Sequence, residues 1–448
     1  MGRFGAISRG HGRLASGQRG AIAIIVGLSI VVMVGFAGLA IDGGRLYLTK
    51  TELQNGADAC ALAASYHLTD SPAIAAGSFA VADASGRMVA QRNRVNFQGS
   101  PITSGDVTIE FSTALTGAGW TSAVGGPPGN AKYVRCTIQR TGITPFLMQV
   151  LGFGDAAVNA VATATLAPAQ SNCAVPMALC TKGTGTNFGY SVGEWIRMDF
   201  QTNGAGNQVD NYTGNFRWID FDPSPSATPP GCSGGGANEI ACLLEGSGQC
   251  SLPPPITGSC STSGTANPTP GCVGQNGAIN ALEDSYNSRF GVYKTGGGGP
   301  NISSAPPDYT GFSYNLSNWA AGSNAYAGTG GISNFRDARA AHLSTQAAFY
   351  SSPYSNTTVA QHTSSGADRR LAVVPMVECS SFSGGQHAPV RAYACILMLN
   401  PYDKQPGNVI ASYLEYLGRA DATGSPCATS GIAGNSGSVG PQVPALVQ

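Results

Sequence analysis

The sequence predicts an α+β fold, in which an N-terminal transmembrane helix continues into a helical stalk, then a small α+β unit and a larger β-rich, disulfide-stapled domain. Three observations predict it. Ala21–Ile41 is an unbroken apolar run. Segments that alternate apolar and polar residues, as half-buried strands do, recur in the remaining chain. The 12 cysteines all follow the apolar run, which indicates folding in an oxidising compartment.

The apolar run Ala21–Ile41 contains no charged residue. At about 1.5 Å per residue, a helix of this length extends about 30 Å, the thickness of the hydrocarbon core of a bilayer. A backbone buried in lipid must satisfy its hydrogen bonds internally, so we expect a helix here. The lipid bilayer is therefore the first partner that the sequence predicts.

The charges beside the run predict its orientation. Four arginines and no acidic residue precede it. Because positive residues near a membrane segment stay in the cytoplasm, the short N-terminal tail is expected inside and the long remainder outside. Cleavage as a secretory signal after Ala40 is the alternative, although the apolar region of such signals usually has only about 7–15 residues.

The composition excludes some classes of partner. Charged residues make up 11% of the chain, against ~25% in ordinary globular proteins, and the formal net charge is zero. No basic stripe occurs, which argues against a nucleic-acid partner. The 62 glycines and 27 prolines indicate abundant turns and loops.

The cysteine spacing favours disulfides over a metal site. Zinc modules usually need close ligand pairs, and no CxxC occurs in the chain. Cys379 and Cys395 lie in two strands of a predicted hairpin and could face each other, while Cys173 and Cys180 flank a short predicted strand. These four are the candidate disulfide cysteines. The connectivity stays open because spacing alone does not determine it.

The segment after the apolar run, residues 42–70, predicts a helical stalk. Small and apolar residues recur near helical spacing from Leu46 to Leu68, and no proline occurs before Pro72. Gly43, Gly44 and Gly56 weaken this helix by up to about 1 kcal/mol each relative to alanine.

Arg19-Gly20, the apolar run, Asp42-Gly43-Gly44-Arg45 and then Leu53-Gln54-Asn55-Gly56-Ala57-Asp58 follow one another in this sequence. Together they resemble the N-terminal segment of TadG-like proteins of the Tad/Flp pilus-assembly system. The family pattern is RG, an apolar helix, (A/V)DxGR and then LQxAADAAALAAA. In this sequence Gly56 and Cys60 depart from the usual alanines. The residues that carry the resemblance are Arg19, Gly20, Asp42, Gly44, Arg45, Leu53, Gln54, Asn55, Ala57, Asp58, Ala59 and Ala61.

This resemblance implies a single-pass anchor in a bacterial inner membrane, with the N-terminus cytoplasmic and the C-terminal body periplasmic. It implies a scaffold or pseudopilin-like role in pilus assembly, with other Tad/Flp pilus-assembly proteins as partners. We expect no enzymatic activity, cofactor, metal or small-molecule substrate.

Residues 71–168 predict a small α+β periplasmic domain with one helix packed near a sheet. A VxVxRTxPxFxxxxxG and then VxAxATA pattern, matched loosely from Val134 to Thr165, resembles the same family. The predicted elements are a helix at Pro72–Asn93, strands at Val107–Ser112, Tyr133–Arg140 and Ala157–Leu166, and a short helix at Thr144–Leu151 with Pro145 in its first turn.

Residues 169–429 predict a Cys-rich, β-rich domain, and residues 430–448 an extended tail. Leu371–Cys379 and Val390–Leu399 are predicted as a buried hairpin. Further strands are predicted at Ala174–Leu179, Gly193–Phe200 and Gly214–Phe221, helices at 238–246, Asn276–Phe290 and Asn334–Phe349, a helix or strand at Val409–Leu417, and a long loop region over Asp222–Gly274.

Several side chains could carry chemistry, but each also has a purely structural interpretation. Gly189–Gly193 matches the GxSxG pattern, but no buried strand precedes it and no helix follows, so a turn is expected. Asp368-Arg369-Arg370 is expected as a solvated charge cluster at a strand edge instead of a carboxylate–guanidinium clamp. Trp195 and Trp218 are expected in the core instead of a binding platform. Surface or partly buried positions are expected for His67, His342, His362 and His387.

Two alternative functions stay open. An envelope-anchored hydrolase would need a convergent Ser/His/Asp or carboxylate site around Ser191 or His387. A surface adhesin would need release by cleavage near Ala40. The predicted domain order is 1–19 cytoplasmic tail, 20–41 transmembrane helix, 42–70 stalk, 71–168 small α+β domain, 169–429 Cys-rich domain and 430–448 tail.

Overall fold

A computed structural model shows a mixed α+β chain, as the sequence predicts. Parts of several predicted segments lie outside the described residues, among them the tail before Arg19, the start of Asn276–Phe290 and the end of Asn334–Phe349. The structure describes residues 19–68, 76–198, 216–221, 232, 236–260, 270–275, 282–340, 354–365, 368–382, 387–402, 412–435 and 437–448.

The chain divides into two compact units. The first comprises Met1–Leu166 together with Pro444–Gln448, and the second comprises Ala167–Val443. The elements that begin in the first unit are α1 Arg19–Ser65, α2 Ala76–Arg92, β1 Arg94–Val95, β2 Ser100–Pro101, β3 Val107–Ser112, β4 Thr121–Ser122, β5 Tyr133–Ile143 and β6 Ala156–Ser171.

Helix α1 has two halves of different character. Its first half holds the apolar run, whose large side chains are exposed, with Met33 at 68% and Phe36 at 71%. In the part of the chain that the structure describes, this is the one helix long and apolar enough to cross a membrane. Its second half carries Leu53, Ala57 and Ala61, which are buried. The helix is continuous through Gly43 and Gly44, so the predicted helical extension of the apolar run is confirmed. It ends at Ser65, and its second half packs in the core of the first unit.

The first unit is built on an antiparallel sheet in the order β4-β3-β5-β6. Alternate residues of β3 and β5 point into a core that also contains small residues of α1 and α2. Because these helix residues are mostly alanines, the helices approach the sheet closely. At the far end of the chain, Thr163 N–H of β6 donates to the Gln448 carbonyl at 2.8 Å.

The helix predicted at Thr144–Leu151 is wrong for its first half. Only Met148–Leu151 forms a helical turn, and it is of the 3-10 type. The backbone N–H groups of Phe146, Leu147 and Met148 instead donate to the carboxylate of Asp42 on α1. A carboxylate from another element thus holds the backbone that precedes this short turn.

The remaining elements begin in the second unit. The predicted helix or strand at Val409–Leu417 is a strand in its described part, and the predicted extended tail contributes its own strand. The elements are β7 Met177–Cys180, β8 Trp195–Met198, β9 Phe216–Asp220, α3 Gly236–Glu245, β10 Cys272–Gln275, α4 Leu282–Ser288, β11 Val292–Lys294, α5 Phe335–Ala340, β12 Tyr354–Asn356, α6 Val359–Ser365, β13 Leu371–Val377, β14 Ala388–Met398, β15 Ser412–Arg419, β16 Ala428–Ala433 and β17 Gln442–Leu446.

Among the described residues, seven strands of the second unit form a sheet in the order β10-β9-β7-β13-β14-β15-β8, and β11 pairs with β12 in a separate sheet. The predicted hairpin is confirmed, because β13 and β14 pair antiparallel from Leu371↔Leu397 onward. Every residue of β13 is buried, with Val373 facing one apolar cluster and Val374 the other. Cover on both faces explains why this strand reads as a continuous apolar run instead of alternating.

All twelve cysteines are paired, as expected for an oxidising compartment. The expected contact between Cys379 and Cys395 is wrong, because their side chains bond to partners on other elements. Cys173 and Cys180 do not pair with each other either. The disulfides are Cys60–Cys136, Cys173–Cys250, Cys180–Cys379, Cys232–Cys242, Cys260–Cys272 and Cys395–Cys427.

The solvated charge cluster expected at Arg369 and Arg370 is also wrong, since both side chains are buried. They directly precede strand β13, which lies between β7 and β14 and is not an edge strand. Arg370 pairs with the fully buried carboxylate of Asp308 at 3.5 Å. Arg369 and the buried Arg289 donate to main-chain carbonyls at the end of α3, Leu244 among them, where the helix dipole favours positive charge.

His362 is fully buried, whereas a surface or partly buried position was expected. Its Nδ1–H donates to the Asp308 carbonyl at 2.7 Å, and its Nε2 lies 2.6 Å from Thr357 Oγ1. Burial lowers the pKa of this imidazole below its ordinary value of 6.5, and the nearby Arg370 lowers it further.

This burial predicts a loss of stability in mild acid. Below about pH 6.5, His362 binds a proton in the unfolded state but not in the folded state, where its pKa is lower. The free energy of unfolding therefore falls as pH drops toward the folded pKa. We expect the urea midpoint to decrease from about pH 7.5 to about pH 5. His362→Gln should flatten this dependence. An equal pH slope in wild type and variant would contradict the assignment.

Candidate functional site

The family-motif residues of α1 lie largely on one face of the helix. Asp42, Arg45, Leu53, Ala57 and Ala61 recur at intervals of three, four or eight residues, which places them on one side. This side, called the motif face below, contacts the sheet and loops of the first unit. The motif thus marks the surface by which the helix is joined to the body.

Asp42 is at the point where the apolar run ends. Its carboxylate accepts the backbone N–H groups of Phe146, Leu147 and Met148 at 2.8, 2.9 and 2.8 Å. The Met148 N–H above all holds the pKa of this carboxyl below its ordinary value of 3.8, against an opposing effect of burial. The contact is therefore fully present above about pH 3.8 and is lost only as pH falls through the lowered pKa.

Arg45 is one turn further along α1 and clasps the same loop. Its Nε donates to Asn96 Oδ1 at 3.0 Å, and its Nη1 donates to the Thr144 carbonyl at 2.9 Å. The guanidinium lies over the Phe146 ring, 4.3 Å from its centroid. Asn96 has a φ of 58°, a left-handed conformation that asparagine tolerates better than most residues.

Further along the motif face, the polar contacts continue on the strand β6. Gln54 Nε2 donates to Asp58 Oδ1 at 2.8 Å and to the Val161 carbonyl at 3.0 Å. Leu53, Ala57 and Ala61 are packed in the core. Of the remaining motif positions, Gly44 and Asn55 are exposed and Ala59 is half-buried. Arg19 and Gly20 begin α1, and the surroundings of both lie outside the described residues.

The two departures from the family pattern both have a structural reason. A methyl group at Gly56 would lie 2.9 Å from Ile102 Cδ1 and 3.3 Å from Ile138 Cδ1, so these isoleucines occupy the space that an alanine would fill. Cys60 forms the disulfide with Cys136 on β5. Both departures therefore tighten the contact between α1 and the sheet.

The catalytic candidates are not brought into a comparable arrangement. Ser191 is exposed in a turn that leads into β8, and its N–H donates to Glu194 Oε2 at 3.1 Å. A nucleophile elbow instead requires a strand before the serine and a helix after it. Trp218 is buried in the core as expected. Trp195 is half-buried, packs against the core and donates from Nε1 to the buried Glu415 at 3.0 Å.

The fold and the motif face define a class of protein: a chain with one N-terminal apolar helix that is built into an α+β body. A family model, Tad, described as Flp pilus-assembly TadE/G-like, matches residues 20–92. The match ends at Arg92, the last residue of α2. No curated protein and no solved structure matches the chain.

The resemblance to TadG-like proteins is therefore confirmed for the N-terminal segment. The match supports involvement in pilus assembly and interaction with other pilus components. It suggests a non-enzymatic role, and together with the apolar helix it suggests a membrane anchor.

The residues that receive the motif side chains were missed from the sequence. They are the loop Thr144–Met148 and Asn96, which lie far from α1 in the chain. One signal was available, because the TxPxF part of the family pattern that begins at Val134 covers Pro145 in this loop. Neither of the two family patterns contains a catalytic grouping, so contact between the two patterns could have been expected from the sequence.

Asp42→Asn is expected to loosen this loop. The amide has no charge and turns an NH₂ group toward backbone donors, so it cannot accept three N–H groups as the carboxylate does. Hydrogen exchange measured by mass spectrometry on the full chain in detergent should show several-fold faster exchange at 146–148. Asp155→Asn, at an exposed carboxylate just after the loop, is the matched control. Unchanged exchange in Asp42→Asn would contradict the role given to Asp42.

Proposed function

We propose that this chain is a membrane-anchored, non-enzymatic scaffold or pseudopilin-like component of Tad/Flp pilus assembly. The first half of α1 spans the bacterial inner membrane, with the N-terminal tail in the cytoplasm and the body in the periplasm. Other Tad/Flp pilus-assembly proteins bind the body. The role is positional: the helix fixes where the body is, and the body offers surface to its partners.

One observation carries this proposal, the family match over residues 20–92, which covers both helices of the first unit. Two further features support it. Four arginines precede the apolar run, which favours a cytoplasmic tail. All cysteines are in disulfides, which form and persist in oxidising compartments such as the periplasm.

The position of the body is tested first, on spheroplasts of the source bacterium. Protease added outside should degrade the body and leave a cytoplasmic marker protein intact. Mass spectrometry of the mature protein should find the original N-terminus. A body protected inside the cell would overturn the orientation, and an N-terminus at Ile41 would favour the released adhesin.

The role in assembly is tested by deleting the gene and counting surface pili by electron microscopy. Loss of pili should be reversed by the wild-type gene. It should not be reversed by a version in which residues 1–41 are replaced by a cleavable secretory signal, because that body would be exported but not anchored. Normal piliation without the gene, or full rescue by the unanchored body, would overturn the proposal.

A further inference from the structure

We propose that the loop Thr141–Gly154, called the lipid loop below, enters the leaflet of the membrane that surrounds the C-terminal end of the apolar run. The first unit would then contact lipid through this loop as well as through α1. This inference rests on the proposed membrane anchor and adds a second membrane contact to it.

The position of the lipid loop along α1 is the first argument. A methyl group built on Gly38 would lie 2.8 Å from Met148 Sδ, and one on Gly35 would lie 3.8 Å from Leu151 Cδ1. Gly35 precedes Ile41, the end of the apolar run, by about 9 Å of helix. If the run occupies the hydrocarbon core, Leu151 lies within the membrane and not above it.

The composition of the lipid loop is the second argument. Between Arg140 and Asp155 the chain reads TGITPFLMQVLGFG, without a charge. Its large side chains are exposed: Phe146 is 57%, Val150 74% and Phe153 58% accessible. A contiguous apolar patch of this kind is rare on a surface that faces water and marks a membrane or protein contact.

The third argument is the hydrogen bonding of the loop backbone. Non-helical backbone at membrane depth is tolerated only where its polar groups find partners within the protein. Asp42 accepts the N–H groups of residues 146–148. The N–H groups of Val150, Gly152 and Phe153 donate to carbonyls within the loop at 3.1, 3.0 and 3.2 Å. These backbone N–H groups thus have acceptors within the protein and need none from water.

Lipid is favoured over a protein partner because the patch is continuous with the apolar run. A cavity of about 210 Å³ lies between part of the loop and α1, and its walls include Leu39, Leu46, Ile143 and Phe153. The same lipid tails that cover the exposed face of α1 therefore reach the loop without a further binding event. An apolar helix of another protein would need to displace them.

The experiment places tryptophan probes in the full chain, reconstituted in vesicles of phosphatidylcholine and phosphatidylglycerol. The lipids carry either plain or brominated acyl chains, and bromine quenches tryptophan fluorescence only on contact. The probes are Phe153→Trp and Val150→Trp in the loop. Phe36→Trp in the apolar run is the positive control at similar depth, and Val124→Trp, where the valine is 99% exposed in the same unit, is the negative control.

The expected result is that brominated lipid quenches both loop probes to an extent comparable with Phe36→Trp, after subtraction of the wild-type signal. Acrylamide in the water should quench Val124→Trp and neither loop probe. If Phe36→Trp is quenched by bromine and the loop probes behave like Val124→Trp, the inference is overturned while the anchor stands. Loop probes shielded from both quenchers would indicate contact with a second copy of this chain and also overturn it. If Phe36→Trp itself escapes bromine, the anchor fails and the inference with it.

Discussion

Asp308→Asn is expected to destabilise the second unit by about 3–5 kcal/mol, the range observed when one partner of a buried ion pair is removed. The carboxylate accepts the backbone N–H groups of Arg369 and Arg370 at 2.7 and 2.9 Å and pairs with the Arg370 guanidinium. The neutral amide would leave that guanidinium buried without a counter-charge. The NH₂ group of the amide would also face the backbone N–H donors of Arg369 and Arg370, from which it cannot accept.

The measurement is urea unfolding followed by tryptophan fluorescence, which reports mainly on this unit because Trp195, Trp218 and Trp319 lie in it. Asp337→Asn is the matched control, since the side chain of Asp337 is 61% exposed. Its expected effect is within about 0.5 kcal/mol. Comparable losses in the two variants would contradict the importance given to burial.

A double variant separates charge from packing. Arg370→Met removes the guanidinium that Asp308→Asn leaves uncompensated, so the double variant should be more stable than Asp308→Asn alone. Arg370 also lies 4.8 Å from the ring centroids of Phe290 and Phe335, and methionine can replace part of that contact. Strictly additive losses would show that the two charges are not coupled.

Removal of the Cys180–Cys379 disulfide by Cys180→Ala with Cys379→Ala is expected to lower the free energy of unfolding by about 2–5 kcal/mol. These cysteines are 199 residues apart in the sequence, and the bond joins the end of β7 to the turn after β13. A cross-link between distant residues removes much conformational freedom from the unfolded chain, so its loss stabilises the unfolded state.

The matched control is removal of Cys260–Cys272, which spans only 12 residues. The smaller loop gives the smaller expected loss in the same urea titration. Peptide mapping under non-reducing conditions should verify that the other disulfides are intact in each variant. Equal losses for the long and the short loop would contradict the entropic argument.

The sequence was sufficient where local pattern and structure agree. The run from Ala21 to Ile41 and the buried hairpin of β13 and β14 were predictable because apolar patterning alone specifies them. Long-range pairing was not predictable in this way. Cys379 was expected to face Cys395, but Cys395 lies opposite Val373 in the hairpin register. Cys379 bonds to Cys180 instead, since the parallel contact of β7 with β13 brings distant residues together.

The candidate site divides along the same line. Its helix half was predictable, because the motif residues follow one another at helical spacing. Its loop half was not, because a segment such as Thr144–Leu151 has helical propensity that the carboxylate of Asp42 overrides. The solvated cluster expected at Arg369 and Arg370 failed for a similar reason, since the counter-charge Asp308 is about sixty positions away in the chain and no local pattern announces it.

The continuity of α1 has a mechanical consequence. The helix runs as one rod of about 70 Å from the apolar run into the core of the first unit, and its two adjacent glycines do not interrupt it. A pull or twist applied to the apolar half of α1 therefore meets no break in the helix that could absorb it. It is transmitted through Asp42 and Arg45 to the loop and then, by the covalent bond between Cys60 and Cys136, to the middle of the sheet. Force on the apolar half of α1 would strain the first unit as a single piece.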